Sequence, residues 1–502
     1  MNKPFSELST TGLKTKAVKS AGINVAAQFI GFVCHTFGVI VLARLLTPRD
    51  FGLVTMVTAF SLWVMNFGIN GFTEYIIQKQ QLYREEVNSI FWLHLGLACI
   101  MAIGFSFFGL YLVDFYSESA LSGIAVAMTA SFVFQALSTS HMAILKREMK
   151  FSSIAVAELI AVILSVVFAI AAALAGGGYW AVVTRQLSVP AVTMIAAWIL
   201  CPWRPGRPKH LAVAMPGLKY AIQVYFNFSL GYVTRNMDKV LLGRFHGSDI
   251  LGNYDRAYHL SSMPANQLLT PLHGIALSTL TRLRDDEKRF STYFTKAVST
   301  VALLGSISAA ILTLTARDLI PFLLGPDWVE AGRVVMAFGP GIAPMLVYGT
   351  HSWLHLALGK PDRWLRWNIL ATIITVAAFI IATPFGAIGM ALAYSAVSFI
   401  LFIPSLWYAG IPVRLSAGKI LSSVWPFFVS AFLVCGAWLY LSESWAPLRE
   451  FLLSAGPLSR ILITSFIALL FYVLVVIACR RSMHPFLEVF SLVKLMFSRE
   501  KS

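Results

Sequence analysis

Residues 220–245 read YAIQVYFNFSLGYVTRNMDKVLLGRF. The run is apolar and long enough to cross a bilayer, which needs about 20 residues. It nevertheless carries Arg235, Asp238 and Lys239 within roughly one helical turn. A single charge at the centre of a membrane helix costs about 2.5–3.5 kcal/mol on insertion scales. Three together must face water, each other or a ligand. The segment therefore predicts a transmembrane helix that forms one wall of a polar passage.

The rest of the chain fits that setting. Of its 502 residues 58% are hydrophobic and 12% are charged, and the mean hydropathy is +0.74. Soluble domains carry about 25% charged residues. The composition predicts an all-α polytopic membrane protein, because the apolar runs reach helix-spanning length rather than the alternating short strands of a barrel. Fourteen spans are expected, at 20–43, 51–73, 88–112, 120–145, 152–175, 178–201, 218–245, 254–280, 294–316, 331–357, 365–382, 385–408, 419–441 and 459–479. The first apolar run is too long for a signal-peptide core and has no small-residue cleavage site after it, so it is expected to stay as the first span.

Charge placement sets the orientation. With a cytoplasmic N-terminus, 28 of the 39 Lys and Arg fall in cytoplasmic segments and 8 in external loops, and Arg185, Arg235 and Lys239 lie inside spans. This is a positive-inside pattern with both termini in the cytoplasm. It also removes nucleic acid as an explanation of the net charge of +16, since the basic residues sit in short loops. No loop is large enough for a nucleotide-binding domain, and neither a P-loop nor a GxGxxG turn precedes a helix. The five cysteines (Cys34, Cys99, Cys201, Cys435 and Cys479) lack paired or metal-ligand spacing. His351 and His355 are four apart but flank SWL without a glutamate, so no metal site, cofactor or nucleophile–base arrangement is expected.

An internal repeat organises the helices. LARLLTPRDFGL (42–53) overlies LGRFHGSDILGN (242–253) at an offset of 200, matching Leu42 with Leu242, Arg44 with Arg244 and Gly52 with Gly252. Gly31 and Gly231, Ser61 and Ser261, and Asn66 and Asn266 keep the same offset. Both copies start from the cytoplasm, so the repeat is parallel. The expected lobes are 1–201 (spans 1–6) and 218–408 (spans 7–12), joined by the Pro-rich basic linker 202–217. Residues 409–502 supply two further spans and a basic tail.

The repeat aligns two polar stripes. Asn24, Gln28, Gly31, His35 and Gly38 share one face of the first span, and Asn227, Gly231, Arg235 and Asp238 share one face of the seventh. Asn66 and Asn70 of the second span answer to Asn266 and Thr270 of the eighth. Small and amide residues also serve as packing contacts between membrane helices, and Arg235 with Asp238 also suits a structural pair at i, i+3. A cationic cavity suits a phosphate, which arginine grips in bidentate fashion. Arg44 and Arg244 end their spans where side chains snorkel to the interface or serve an external gate. Glu158 either pairs with Lys146 or Lys150 or acts as a protonatable site for ion coupling.

The stretches VLARLLTPRDFGLV (41–54) and VTRNMDKVLLGRFHGSDILGNYDRAYHL (233–260) resemble the polysaccharide exporters of the multidrug/oligosaccharidyl-lipid/polysaccharide superfamily. The Wzx-type flippases of the colanic acid exporter branch are the nearest likeness, and ILKREMKFSSIAVAELI (144–160) and FLLGPDWVEAGRVVMAF (322–338) extend it. The resemblance implies two six-helix lobes around a cavity lined by spans 1, 2, 7 and 8. It implies a non-enzymatic transporter of undecaprenyl-diphosphate-linked oligosaccharide across the bacterial inner membrane by alternating access, alongside the polymerase and chain-length regulator of the same pathway. Its motif positions map onto Arg235, Asn236, Asp238, Gly243 and Arg244, and onto Arg44, Asp50, Phe51 and Gly52. The expected substrate site is Arg235, Asn236, Asp238, Lys239, His35, Gln28, Asn66 and Asn266. Here Asp238 orients Arg235, Lys239 supports it, and Arg44, Arg244, Asp50 and Gly52 form the gate. A drug or cation antiporter of the same superfamily is the rival reading, and an O-antigen polymerase or ligase the more distant one.

Overall fold

The computed structural model describes residues 6–7, 13–208 and 214–487. They fold into helices joined by tight turns, as a bilayer demands, since only intra-segment hydrogen bonds satisfy the backbone in hydrocarbon. The chain divides into two compact units, Met1–Gly252 and Asn253–Ser502.

The first unit holds α1 (Leu13–Leu45), α2 (Pro48–Gln78), α3 (Arg84–Tyr116), α4 (Ala120–Arg147), α5 (Phe151–Leu174) and α6 (Tyr179–Leu200). A seventh helix, α7, runs over 215–246. It is continuous with α8 (248–282) except at Gly247, whose φ of 82° and ψ of 180° break the helix. Only glycine adopts that backbone without strain. Two short strands, β1 (Ser6–Glu7) and β2 (Gln81–Leu82), pair antiparallel. The sequence pattern gives no hint of them.

Within this unit α3 packs on α4, α5 on α6 and on α1, and α4 on α2 and α6. At one end Phe72, Ile76, Val87, Ile90 and Phe91 gather into an apolar core. Arg147 at the end of α4 enters it and donates to the carbonyls of Ile76, Ile77, Lys79 and Gln80. The last turn of α2 and the residues after it are thus held by one guanidinium, which offers five donors in a fixed fork. Beside it Glu86 accepts from Tyr75 Oη at 2.8 Å and pairs with Lys79.

The second unit continues with α9 (Glu287–Leu324), α10 (Val329–Gly349), α11 (His351–Ala357), α12 (Pro361–Ala382), α13 (Gly386–Gly410), α14 (Ala417–Ser444), α15 (Ala446–Ser454) and α16 (Pro457–Arg480). Its core joins Phe290, Phe294, Trp353, Phe427 and Tyr472. The nine-residue α15 buries none of its side chains.

Among the described residues eleven segments are long and apolar enough to cross a membrane, against the fourteen expected. Two causes lower the number. Pro361–Val413 counts as one segment but contains both α12 and α13. Neither α7 nor α8 is among the eleven, and α7 carries the charges noted above. Of the five cysteines Cys201 is buried, whereas Cys99 and Cys479 are exposed on their helices. Long apolar residues such as Phe107, Ile199, Ile381 and Phe466 are likewise exposed, as expected of surfaces that meet lipid tails.

Candidate functional site

The charges of α7 separate by face. Arg235 is exposed, and its Nη2 lies 3.7 Å from where a Cβ on Gly231 would stand. Gly231 leaves room for the guanidinium one turn below it. Asp238 is 1% exposed and Lys239 9%, so both turn into the protein. The Asp238 carboxylate accepts the backbone N–H of Lys239 at 2.8 Å. The expected Arg235–Asp238 pair is absent, and no ion pair of Arg235 occurs among the described residues. Lys239, expected to support Arg235, is buried instead.

On α1 the stripe resolves into two functions. Gly38 is a packing contact, since a Cβ there would meet Val166 of α5 at 2.5 Å. Gln28, Asn24 and Gly31 instead line a cleft of about 300 Å³ together with Glu158, Ile154 and Val162 of α5. Lys150 pairs with Glu148 at 2.8 Å, and Glu158 forms no ion pair among the described residues. His35 is exposed, and its Nδ1 lies 2.9 Å from Nη2 of Arg185 on α6. Arginine can only donate, so Nδ1 accepts and the proton of a neutral imidazole resides on Nε2. A cation therefore stands at the first lobe's counterpart of Arg235, supplied from another helix. The only sequence signal for it was a lone arginine inside a span.

The amides are less committed to a ligand. Asn66 Nδ2 donates to the Leu62 carbonyl at 2.7 Å, and Asn236 Nδ2 to that of Tyr232 at 2.9 Å. Each satisfies its own helix. The side chain of Asn266 lies outside the described residues, as do those of Asn70, Asn227 and Thr270.

The residues expected at the gate also build a helix start. Thr47 and Asp50 form a capping box at the head of α2, with Pro48 in the first turn. Asp50 accepts from Thr47 N and Oγ1 at 2.9 and 2.8 Å. The pattern T-x-x-D immediately before an apolar run is a legible capping signal. Gly52 packs directly on the carbonyl of Ser248, and Gly252 on that of Pro48. Glu118 clasps the same corner, accepting from Ser248 Oγ at 2.9 Å and pairing with Arg49 at 3.0 Å. Arg244 lies 5.6 Å from the Phe115 ring centroid, and Arg44 is exposed. The histidines His141 and His351 stack or tilt against Trp198 and Tyr348, as packed side chains do. Among the described residues no group of three metal-ligating side chains occurs.

This is the architecture of a multi-pass helical membrane protein. The fold overlays a lipid II flippase, MurJ, in its inward closed conformation with a TM-score of 0.73 over 91% of this chain and 98% of that one, at 14% identity. It overlays an inward-facing multidrug transporter with a TM-score of 0.61 over 78% and 98%. Residues 41–333, more than half of the chain, match the model of the polysaccharide biosynthesis protein family, and the chain belongs to that family. It is 22% identical to the lipopolysaccharide biosynthesis protein WzxC of Escherichia coli over 83% of this chain and 86% of that protein. It is 24% identical to the succinoglycan biosynthesis transport protein ExoT of Rhizobium meliloti over 66% and 68%.

Proposed function

We propose that this multi-pass membrane protein moves undecaprenyl-diphosphate-linked oligosaccharide from the cytoplasmic to the periplasmic leaflet of the bacterial inner membrane, for the assembly of exopolysaccharide or lipopolysaccharide. Arg235 is the observation that carries the reading. It is an exposed guanidinium in the middle of the otherwise apolar stretch 220–245, without an ion pair among the described residues, beside a glycine that leaves it space. Such a group is costly unless an anion or water answers it, and it holds a diphosphate by bidentate hydrogen bonds. Arg185, oriented against His35, supplies a second permanent cation. Transport proceeds by alternating access, and both termini are cytoplasmic. Named relatives in lipopolysaccharide and succinoglycan assembly support the substrate class.

The test is complementation of a deletion strain with Arg235→Ala. Loss of polymer, with lipid-linked repeat accumulating on the cytoplasmic side, is the expected result. Full export at normal protein level sinks the reading. A drug or cation antiporter is favoured by one observation, the Glu158 carboxylate that lines the α1–α5 cleft and forms no ion pair among the described residues. Unchanged drug susceptibility of the deletion strain eliminates it.

A further inference from the structure

One face of α7 carries more than its arginine. Tyr225, Phe228, Tyr232 and Arg235 follow one another at spacings of 3, 4 and 3, which places them in one stripe. The rings form a continuous ladder with α2. Trp63 stacks on Tyr225 with centroids 6.0 Å apart and planes at 29°, and Phe67 meets Tyr225 edge-on at 5.0 Å. Tyr225 stacks on Phe228 at 6.4 Å, and Phe228 tilts onto Tyr232 at 5.6 Å.

The polar ends of these rings are already engaged. Tyr225 and Tyr232 donate to the carbonyls of Trp63 and Thr58, each at 3.2 Å, and the Trp63 indole donates to Ser229 Oγ at 3.0 Å. The rings are thereby pinned, while Trp63 stays 37% exposed and Phe228 is half-buried. The ladder is distinct from the helix's exposed apolar side, Ile222, Phe226 and Val233, exposed at 39%, 73% and 36%, which lies roughly a third of a turn away at 100° per residue. An arginine in register with the rings marks their stripe as the wet one.

We infer that the Trp63–Tyr225–Phe228–Tyr232 ladder is a carbohydrate platform: it stacks against the sugar part of a lipid-linked oligosaccharide whose diphosphate is held at Arg235. Pyranose rings present an apolar C–H face with partial positive charge, and an aromatic face is its complement, apolar and negative. Hydroxyls at the sugar rim remain free for water. Ten residues of helix from Tyr225 to Arg235 span about 15 Å, the scale of a short oligosaccharide. Stacking of this kind tolerates different sugars, because it reads ring faces rather than hydroxyl patterns.

The inference rests on the diphosphate reading of Arg235, and the experiment separates the two. Purified protein in lipid nanodiscs is titrated with undecaprenyl diphosphate and, separately, with the lipid-linked oligosaccharide pool extracted from cells lacking the protein. Phe228→Leu removes a ring without breaking a hydrogen bond. It is expected to weaken the sugar-bearing lipid by about fivefold to tenfold and the sugar-free lipid by less than about twofold. Trp63→Leu should do the same and Trp63→Phe should largely restore it. Equal weakening of both lipids, or of neither, overturns the platform. Arg235→Ala should weaken both; if both hold, the diphosphate reading falls, while the ring variants decide the platform separately. Failure of the unaltered protein to bind either lipid overturns both.

Discussion

Gly52 and Gly252 make the same contact from opposite sides: Gly52 lies on the carbonyl of residue 248, and Gly252 on the carbonyl of residue 48. The four positions are two pairs at the repeat offset of 200. The starts of α2 and α8 therefore approach backbone to backbone through a local two-fold relation. A glycine is required on each side because no Cβ fits.

Alanine at either position should be equally damaging. A Cβ at 52 or 252 would fall inside a backbone oxygen, which cannot swing aside as a side chain can. Overpacking of this kind costs about 1–3 kcal/mol. Gly52→Ala and Gly252→Ala should lower the thermal midpoint in detergent by similar amounts. Gly96→Ala in α3, where nothing lies within 4 Å, should be neutral or stabilise by up to about 1 kcal/mol. A large effect at one glycine and none at the other breaks the two-fold relation.

The repeat that located these glycines was legible because identical residues recur at one fixed offset of 200. So was the membrane class, from composition, and the cost of Arg235, from its position in an apolar run. What the sequence hid were contacts between distant helices. Arg185 reaches His35 across 150 residues, and a lone arginine leaves no period to read. Asp238 was expected to orient Arg235, and a spacing of three would allow it, but Asp238 is buried at 1% exposure while Arg235 is exposed, a difference set by packing against other helices that no local period reports. The T-x-x-D start of α2 is readable as a cap, and Asp50, which enters the expected gate through the family motif it matches, is the N3 residue of that capping box.

Arg147 offers a stability test away from the passage. Its guanidinium serves four carbonyls at the end of α2 and just beyond it, and Arg147 is 7% exposed. Arg147→Ala strands buried acceptors, each worth about 1–3 kcal/mol when left unmade. Monodisperse protein recovered after mild heating should fall sharply. Arg147→Lys should rescue little, because an ammonium has three donors and lacks the planar fork. Full rescue by lysine assigns the effect to charge instead.

Arg185 should matter as a cation and through its geometry. Arg185→Gln removes the charge beside His35 and is expected to reduce polymer export at least about tenfold, the scale of one lost charge-assisted contact. Arg185→Lys keeps the charge but loses the fixed fork, so its export should be intermediate. His35→Ala should leave more activity than Arg185→Gln, since the arginine keeps its charge without its acceptor. Export by His35→Ala lower than by Arg185→Gln makes the imidazole, rather than the guanidinium, the functional group.

Glu158 decides whether the cleft on α1 couples transport to protons. Its carboxylate lines the same space as the Gln28 and Asn24 amides, and no cation pairs with it among the described residues. A carboxylate in that position binds a proton from one side of the membrane and releases it to the other only if it changes exposure during the cycle. In inverted vesicles loaded with lipid-linked oligosaccharide, an imposed pH gradient should accelerate transfer by the unaltered protein. Glu158→Gln mimics the permanently protonated acid, so its transfer should no longer respond to the gradient while substrate binding persists. Glu158→Asp should respond with a shifted pH midpoint. Gradient stimulation that survives in Glu158→Gln assigns coupling elsewhere and leaves the cleft a structural feature of the α1–α5 contact.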